Sequence, residues 1–236
     1  MSGIKGFDEI ESELAHHPGK IAHDEWMNLK RIFVDIYQKN RTDLVRLLEE
    51  PSRNDLLSTE LFQNVKPPIL REAYTNELLR CLFNYLSSLS SLVDAGMRLT
   101  GKYNDEQMAD YNVYKEALVS SDINEFFGKL RNYIQHYGIP PLGWTVKLKN
   151  NSHNSCTYYL SNSKLLAWKH WNTKAKTYIG DGDVDLLKSI LIHGEMIDAT
   201  FHTLLSLFPN IHSADTNSYN ELMHRRNDIL SGKIKL

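Results

Sequence analysis

Cysteine is scarce in this chain of 236 residues, which has only Cys81 and Cys156. They lie far apart, and neither has a second cysteine nearby with which to form a zinc knuckle or a redox pair. This usage favours a reducing compartment. The chain also lacks any run near the roughly 18 apolar residues that a membrane span requires. These absences predict a soluble, cytoplasmic protein that does not associate with a membrane.

Motifs for nucleotide phosphates and for metal ions are missing as well. No Walker-type Gly-Lys-Ser/Thr loop is present, and no G-x-G-x-x-G follows a predicted strand. His16, His17 and His23 lie in a polar N-terminal segment, whereas His193 and His202 are nine residues apart on a predicted helix. Neither group has the spacing of shared metal ligands, and no H-E-x-x-H pattern occurs. We therefore expect no cofactor and no bound metal.

Acidic residues are absent from residues 143–179, which contain six lysines. The remainder carries 21 basic and 29 acidic residues, although the whole chain has a net charge of only −2. Aromatic residues accompany these lysines, a combination that can stack bases and hold phosphates. Alternatively, the aromatics pack across strands and the lysines protect the edges of a hairpin. We expect the aromatics to pack and the charge to serve a ligand, with these candidates: Lys147, Lys149, Lys169 and Lys174.

Apolar residues recur at helical spacing over most of the chain. The predicted helices cover about residues 26–50, 55–64, 67–101, 105–137, 183–208 and 215–230. Ser120 and Ser121 mark a break in the fourth helix. Between the fourth and fifth helices, segments rich in Val, Thr, Tyr and Trp predict two or three strands.

This pattern predicts a mainly α fold, an antiparallel helical bundle with a small antiparallel β-hairpin or meander inserted at about residues 143–179. We assign residues 1–66 to an N-terminal leader and to helices that pack on the bundle. Residues 67–236 then form the bundle itself. No internal repeat or low-complexity tract argues for a different organisation.

Residues 130–141 read LRNYIQHYGIPP and place Arg131, Asn132 and His136 near the end of the fourth predicted helix. An Arg followed by a His after four to six residues is expected about once by chance in a chain of this composition. The stricter form R-N-x-x-x-H is expected roughly 0.03 times and occurs once. Asn132 therefore makes the motif unusual.

This motif, on a late helix of a helical bundle, resembles that of the HEPN superfamily, whose catalytic members are metal-independent ribonucleases. The resemblance covers roughly residues 67–209. It implies an HEPN-like bundle, RNA or a nucleotide as ligand, and a homodimer with a composite cleft. It also implies a stress or phage-defence toxin with a neutralising protein partner. The chain departs from the minimal family pattern in its β excursion and its long helical N-terminal part.

The three motif residues suit RNA cleavage by the 2′-OH, which needs a base, an acid and a cation but no metal. Histidine exchanges protons near neutral pH, and arginine presents a planar fork to phosphate oxygens. At 100° per residue, Asn132 and His136 are about 40° apart on a helix, but Arg131 and His136 are about 140° apart. Arg131 and His136 can reach one phosphate if the helix loosens, if the arginine side chain wraps around the helix, or if two copies of the motif face each other.

Further candidates for substrate binding are Tyr133 within the motif, and Arg80 and Asn84 in a polar strip on the preceding helix. The strip is also typical of a close helix contact with a solvated edge. The alternative function is a non-catalytic helical module that binds a nucleotide, RNA or a protein partner. In that case Arg131 and Asn132 satisfy a helix end or a neighbouring carboxylate.

Overall fold

The computed structural model describes residues 6–62, 69–147 and 155–234 and is mainly helical with a small antiparallel sheet, as the sequence predicts. The elements before the motif are α1 (Phe7–His16), α2 (Pro18–Lys30), a π-helical segment (Arg31–Gln38), α3 (Lys39–Arg53), α4 (Asp55–Phe62), α5 (Ile69–Thr100) and α6 (Ala109–Ser120). The motif helix and the elements after it are α7 (Asp122–His136), β1 (Leu142–Lys147), β2 (Ser155–Leu160), α8 (Asn162–Leu165), α9 (Thr173–Ile179), β3 (Val184–Asp185), α10 (Leu186–Ile211) and α11 (Ser213–Leu230). The predicted helix start at Pro67 and the candidate Lys149 lie outside the described residues.

Helix α2 continues into α3 through the π-helical segment, because the residues at both junctions keep right-handed helical dihedral angles. The π-helical segment buries Phe33 and Tyr37 and packs against α5. One hydrophobic cluster includes Phe33, Leu82 of α5 and Ile197 of α10. The N-terminal helices thus share a core with the later bundle. No helix in the described ranges has both the length and the apolarity needed to cross a bilayer.

The ring of Phe201 on α10 packs directly on Gly96 of α5. A Cβ atom at position 96 would lie 2.9 Å from this ring, so a larger residue would require the ring to shift. Helix α5 also packs against α3 and α7, and α10 packs against α3 and α6. The motif helix is therefore supported by the central bundle.

The predicted break at Ser120 and Ser121 separates α6 from α7. The Ser121 hydroxyl accepts a hydrogen bond from the backbone N–H of Asn124 at 3.3 Å, as an N-cap residue does. Helix α7 ends at His136, and Pro140 and Pro141 follow in the connection to the sheet. Gly138 has a φ angle of 157°, so it does not form the left-handed cap that its position suggests.

The predicted hairpin is present, but the second half of the excursion is helical instead of extended. Strands β1 and β2 pair from Leu142 with Leu160 to Lys147 with Ser155, and β3 extends the sheet beyond β2. Residues 161–179 instead contain α8 and α9. The Asn172 side chain caps α9 by accepting from the Ala175 N–H, and α9 packs on α7. Capping and packing override the strand propensity of the aromatic residues.

Ser52, in the last turn of α3, holds the hairpin by two hydrogen bonds to the backbone of Cys156 in β2. Its hydroxyl accepts from the Cys156 N–H at 2.8 Å and donates to the Cys156 carbonyl at 3.0 Å. We expect Ser52→Ala to lower the free energy of unfolding by about 1–3 kcal/mol, because it leaves both backbone groups without this partner. Urea unfolding measures the change.

The matched control for this prediction is Ser91→Ala. Ser91 is exposed on α5 and donates only locally, to the Ser87 carbonyl at 3.2 Å. Its substitution should change the free energy of unfolding by less than about 0.5 kcal/mol. Equal unfolding midpoints for the two variants would contradict the anchoring role of Ser52.

Candidate active site on the motif helix

Helix α7 has one face in the core and one face toward two open cavities. Phe126, Phe127 and Leu130, at helical spacing, are fully buried, whereas Ile134 is half-buried and Tyr137 is exposed. Residues on the other face are partly or fully exposed, and His136 occupies the last turn. The helix thus presents the polar residues of the motif to solvent while its apolar face anchors it.

His136 and Asn132 line the same cavity, of about 670 Å³. This agrees with their separation of about 40° on a helix. The connection between α8 and α9 forms the opposite wall. The lining residues are Lys129, Asn132, His136, Tyr137, Ala167, Trp168, Lys169 and His170. Two histidines, two lysines and an amide therefore meet in one open space.

Arg131 lines a different cavity, a groove of about 350 Å³ between α5 and α7. Its Nε atom is buried and has no hydrogen-bond partner. Lys129 and Asn132 line this groove as well as the cavity of His136. The structure thus places Arg131 and His136 in neighbouring cavities that share two wall residues, in line with their angular separation on the helix.

Ring packing fixes the connection that carries His170 against α7. Trp171 stacks on Phe126 with ring centroids 5.8 Å apart, and Trp168 meets Tyr133 edge-on at 5.4 Å. The indole N–H of Trp171 donates to the Leu165 carbonyl at 2.6 Å. These aromatic residues thus pack, as expected, but on helix α7 and not across strands.

A hydrogen bond joins the same connection to the first turns of α7. The Asn172 amide donates to the Glu125 carboxylate at 2.5 Å, while the Asn172 carbonyl oxygen caps α9. Glu125 also lines the groove of Arg131. The two walls of the His136 cavity are therefore linked to each other by apolar and by polar contacts.

Tyr133, a predicted substrate contact, is buried beneath the cavity. Its ring lies 6.0 Å from Trp171, nearly parallel to it, and burial raises the pKa of its hydroxyl. Tyr133 lies between Asn132 and His136 in the sequence. At 100° per residue, that position turns its side chain toward the core.

Arg80 and Asn84 do not line the cavity of His136. Arg80 forms a two-pronged ion pair with Glu77 on its own helix, at 2.6 and 2.7 Å, and lines a separate apolar groove with Ile139. Asn84 is half-buried on α5. The polar strip on α5 to which both residues belong therefore does not contribute them to the cavity of His136.

The candidate lysines differ in their surroundings. Lys169 lines the His136 cavity, whereas Lys174 donates to the Ser120 carbonyl at the end of α6, at 2.9 Å. Lys147 is exposed at the end of β1, outside that cavity. Among the three candidate lysines that the structure describes, Lys169 is thus the one that lies beside the motif.

Sequence reasoning missed His170 and Lys129 as lining residues. Lys129 lies three residues before Asn132 on the helix, so helical spacing was a signal for it. His170 lies 34 residues beyond His136 in the chain. It reaches the cavity only because the segment before α9 folds back on α7.

His193 is buried in a polar cluster beneath α7 and is not part of the cavity. Its Nε2 donates to Asn124 Oδ1 at 3.3 Å, and its Nδ1 accepts from the Tyr85 hydroxyl at 2.9 Å. Burial, reinforced by the positive charge of Arg41, lowers the pKa of His193 to about 3. Within the described ranges, no group of three or more His, Cys, Asp or Glu side chains is arranged to hold a metal ion.

Comparisons with known proteins give no further guidance to the site. No protein-family model matches the chain, and no curated protein and no solved structure is detectably similar to it.

Proposed function

We propose that this protein is a metal-independent endoribonuclease of the HEPN type, with its active site in the cavity of His136. The observation that carries the proposal is that Asn132 and His136, two residues of the R-N-x-x-x-H motif, line one open cavity together with Lys129 and Lys169. Proton-transfer and phosphate-binding groups therefore lie together at the position where the resemblance predicts the site.

The proposed reaction is attack of the RNA 2′ oxygen on the adjacent phosphorus. His136 is one of the proton-transfer groups, and the lysines offset the negative charge of the phosphate. Asn132 can orient either the substrate or the imidazole, because it shares the cavity wall with His136. The expected products are a 2′,3′-cyclic phosphate and a 5′-hydroxyl end.

Arg131 requires a separate role, since it lines the neighbouring groove. The shared residues Lys129 and Asn132 connect the two cavities along α7. An RNA strand that crosses α7 at Lys129 and Asn132 can meet Arg131 with a flanking phosphate while the scissile phosphate lies at His136. The resemblance leads us to propose a homodimer as well, in which Arg131 of one copy faces the site of the other.

The biological role that accompanies this proposal is that of a stress or phage-defence toxin with a neutralising protein partner. It rests on the resemblance of the motif alone. A specific or structured RNA suits this chain better than bulk RNA, because the positive charge is local and the whole chain is slightly acidic.

The test is cleavage of RNA by the purified protein in excess EDTA. We expect RNA to be cut to fragments with 2′,3′-cyclic phosphate ends, and the same sequence with 2′-deoxy residues to stay intact. End-group analysis by mass spectrometry identifies the products. If no RNA is cut, or if EDTA abolishes the cleavage, the proposed mechanism is wrong.

A further inference from the structure

We propose that His170 is the second proton-transfer residue of the site, so that one chain holds both the base and the acid for RNA cleavage. This inference rests on the ribonuclease function proposed above. It starts from the lining of one cavity by His136, from the last turn of α7, and by His170, from the connection between α8 and α9. Both side chains are exposed.

The reaction requires two proton transfers at two different oxygens. A neutral imidazole takes the proton of the 2′-OH as the 2′ oxygen bonds to phosphorus. The bond from phosphorus to the 5′ oxygen then breaks, and an imidazolium gives that oxygen its proton. The attacking and leaving oxygens stand roughly in line on opposite sides of phosphorus. Two histidines on different structural elements meet this need, whereas one imidazole cannot reach both oxygens at the same time.

Trp168 contacts His170 and the residue that follows His136. Its ring contacts that of His170, with centroids 5.4 Å apart, and that of Tyr137, with centroids 6.4 Å apart. Tyr137 directly follows His136 in the chain. Because Trp168 itself is buried, it sets the positions of both neighbours while the imidazoles remain accessible.

The segment that bears His170 is held at both ends, as an acid or base requires. Before His170, the backbone N–H of Trp168 donates to the Leu165 carbonyl at 3.0 Å. After it, Trp171 packs on α7, and Asn172 bonds to Glu125. Such support keeps a side chain within the small positional tolerance that proton transfer demands.

Lys129 and Lys169 complete the site as phosphate-binding groups. One lies on α7 and the other directly precedes His170, so a phosphate in the cavity is approached by a cation from each wall. The arrangement favours an acid and base pair whose substrate is a single-stranded phosphodiester with a free 2′-OH.

The test uses His170→Ala and His136→Ala with two substrates in EDTA, ordinary RNA and RNA with sulfur in place of the bridging 5′ oxygen at one linkage. A thiolate leaves without a proton, so the variant that lacks the acid should recover on this substrate. On ordinary RNA we expect His170→Ala to be about 10²–10³-fold slower than the parent. On the sulfur substrate, the rate of one of the two variants should return to within about tenfold of the parent.

The outcomes separate this inference from the proposed function. Recovery of His170→Ala identifies His170 as the acid, whereas recovery of His136→Ala identifies His136 as the acid and His170 as the base. If His170→Ala cuts ordinary RNA at the parent rate, or if neither variant recovers on the sulfur substrate, the role of His170 is refuted while the ribonuclease function stands. If the parent protein itself cuts no RNA in EDTA, the proposed function fails instead.

His224→Ala is the matched control for these measurements. His224 is exposed on α11 and is not among the residues that line the cavity. Its replacement should leave the cleavage rate on both substrates within about twofold of the parent, because surface substitutions away from a site change little.

Discussion

Replacement of His136 by alanine should slow RNA cleavage in EDTA by about 10²–10⁴-fold, the usual contribution of a positioned acid or base. The imidazole lies in an open cavity on the last turn of α7, so its loss removes proton transfer without opening the core. The measurement is the single-turnover rate on a labelled RNA at saturating protein. Under this condition, a weaker affinity for RNA does not lower the observed rate.

The thermal midpoint of His136→Ala should remain within a few degrees of the parent, because His136 is exposed. A loss of activity with an unchanged midpoint then assigns the effect to chemistry and not to folding. His224→Ala should retain both activity and stability. Equal cleavage rates for His136→Ala and the parent would remove His136 from the mechanism and with it the basis of the proposed site.

Helix geometry separates the contribution of Arg131 from that of His136. Arg131 lines the groove beside α5, and its Nε is buried without a hydrogen-bond partner. Under the proposed function, Arg131 would therefore bind a flanking phosphate or a group from a second copy, and not the phosphate at His136. Asn132 lines both cavities and lies between these two positions.

The helices were predictable because their signals are local. Periodic apolar residues predicted the buried face of α7, and Ser121 at the predicted break became its N-cap. The strand assignment beyond residue 160 was wrong because aromatic residues favour strands on average, whereas Trp168 and Trp171 pack on a helix here. This packing depends on the tertiary fold, which local propensity does not include.

The candidate site was predictable only on the side of α7. The spacing of Asn132 and His136 placed them on one face, and the structure places them in one cavity. The opposite wall, with His170, results from the return of a segment more than 30 residues later in the chain. The sequence indicated the lysines of residues 143–179 as a group but not which of them reaches the site. Lys169 lines the cavity, whereas Lys174 donates to the Ser120 carbonyl at the end of α6.

The buried cluster below α7 gives this fold a specific sensitivity to acid. His193 is fully buried, stacks on Phe127 with centroids 4.6 Å apart, and has both ring nitrogens in hydrogen bonds as the neutral form. The positive charge of Arg41 disfavours a second charge there, although Arg41 is itself paired with Asp198 at 2.6 Å. Protonation of His193 therefore costs much more free energy in the folded state than in water.

Acidification should destabilise the protein through His193. The folded pKa of about 3 lies below the ordinary value of 6.5, so the unfolded state binds the extra proton at any pH between them. The contribution of His193 to stability is complete above pH 6.5, and each unit below it should lower the ratio of folded to unfolded protein about tenfold. Urea unfolding at pH 7 and pH 4.5 measures this loss.

His193→Gln keeps a polar side chain without a titrating group. Over the same pH interval, its ratio of folded to unfolded protein should fall about 100-fold less than that of the parent. Equal slopes for His193→Gln and the parent would show that His193 is not the buried group responsible.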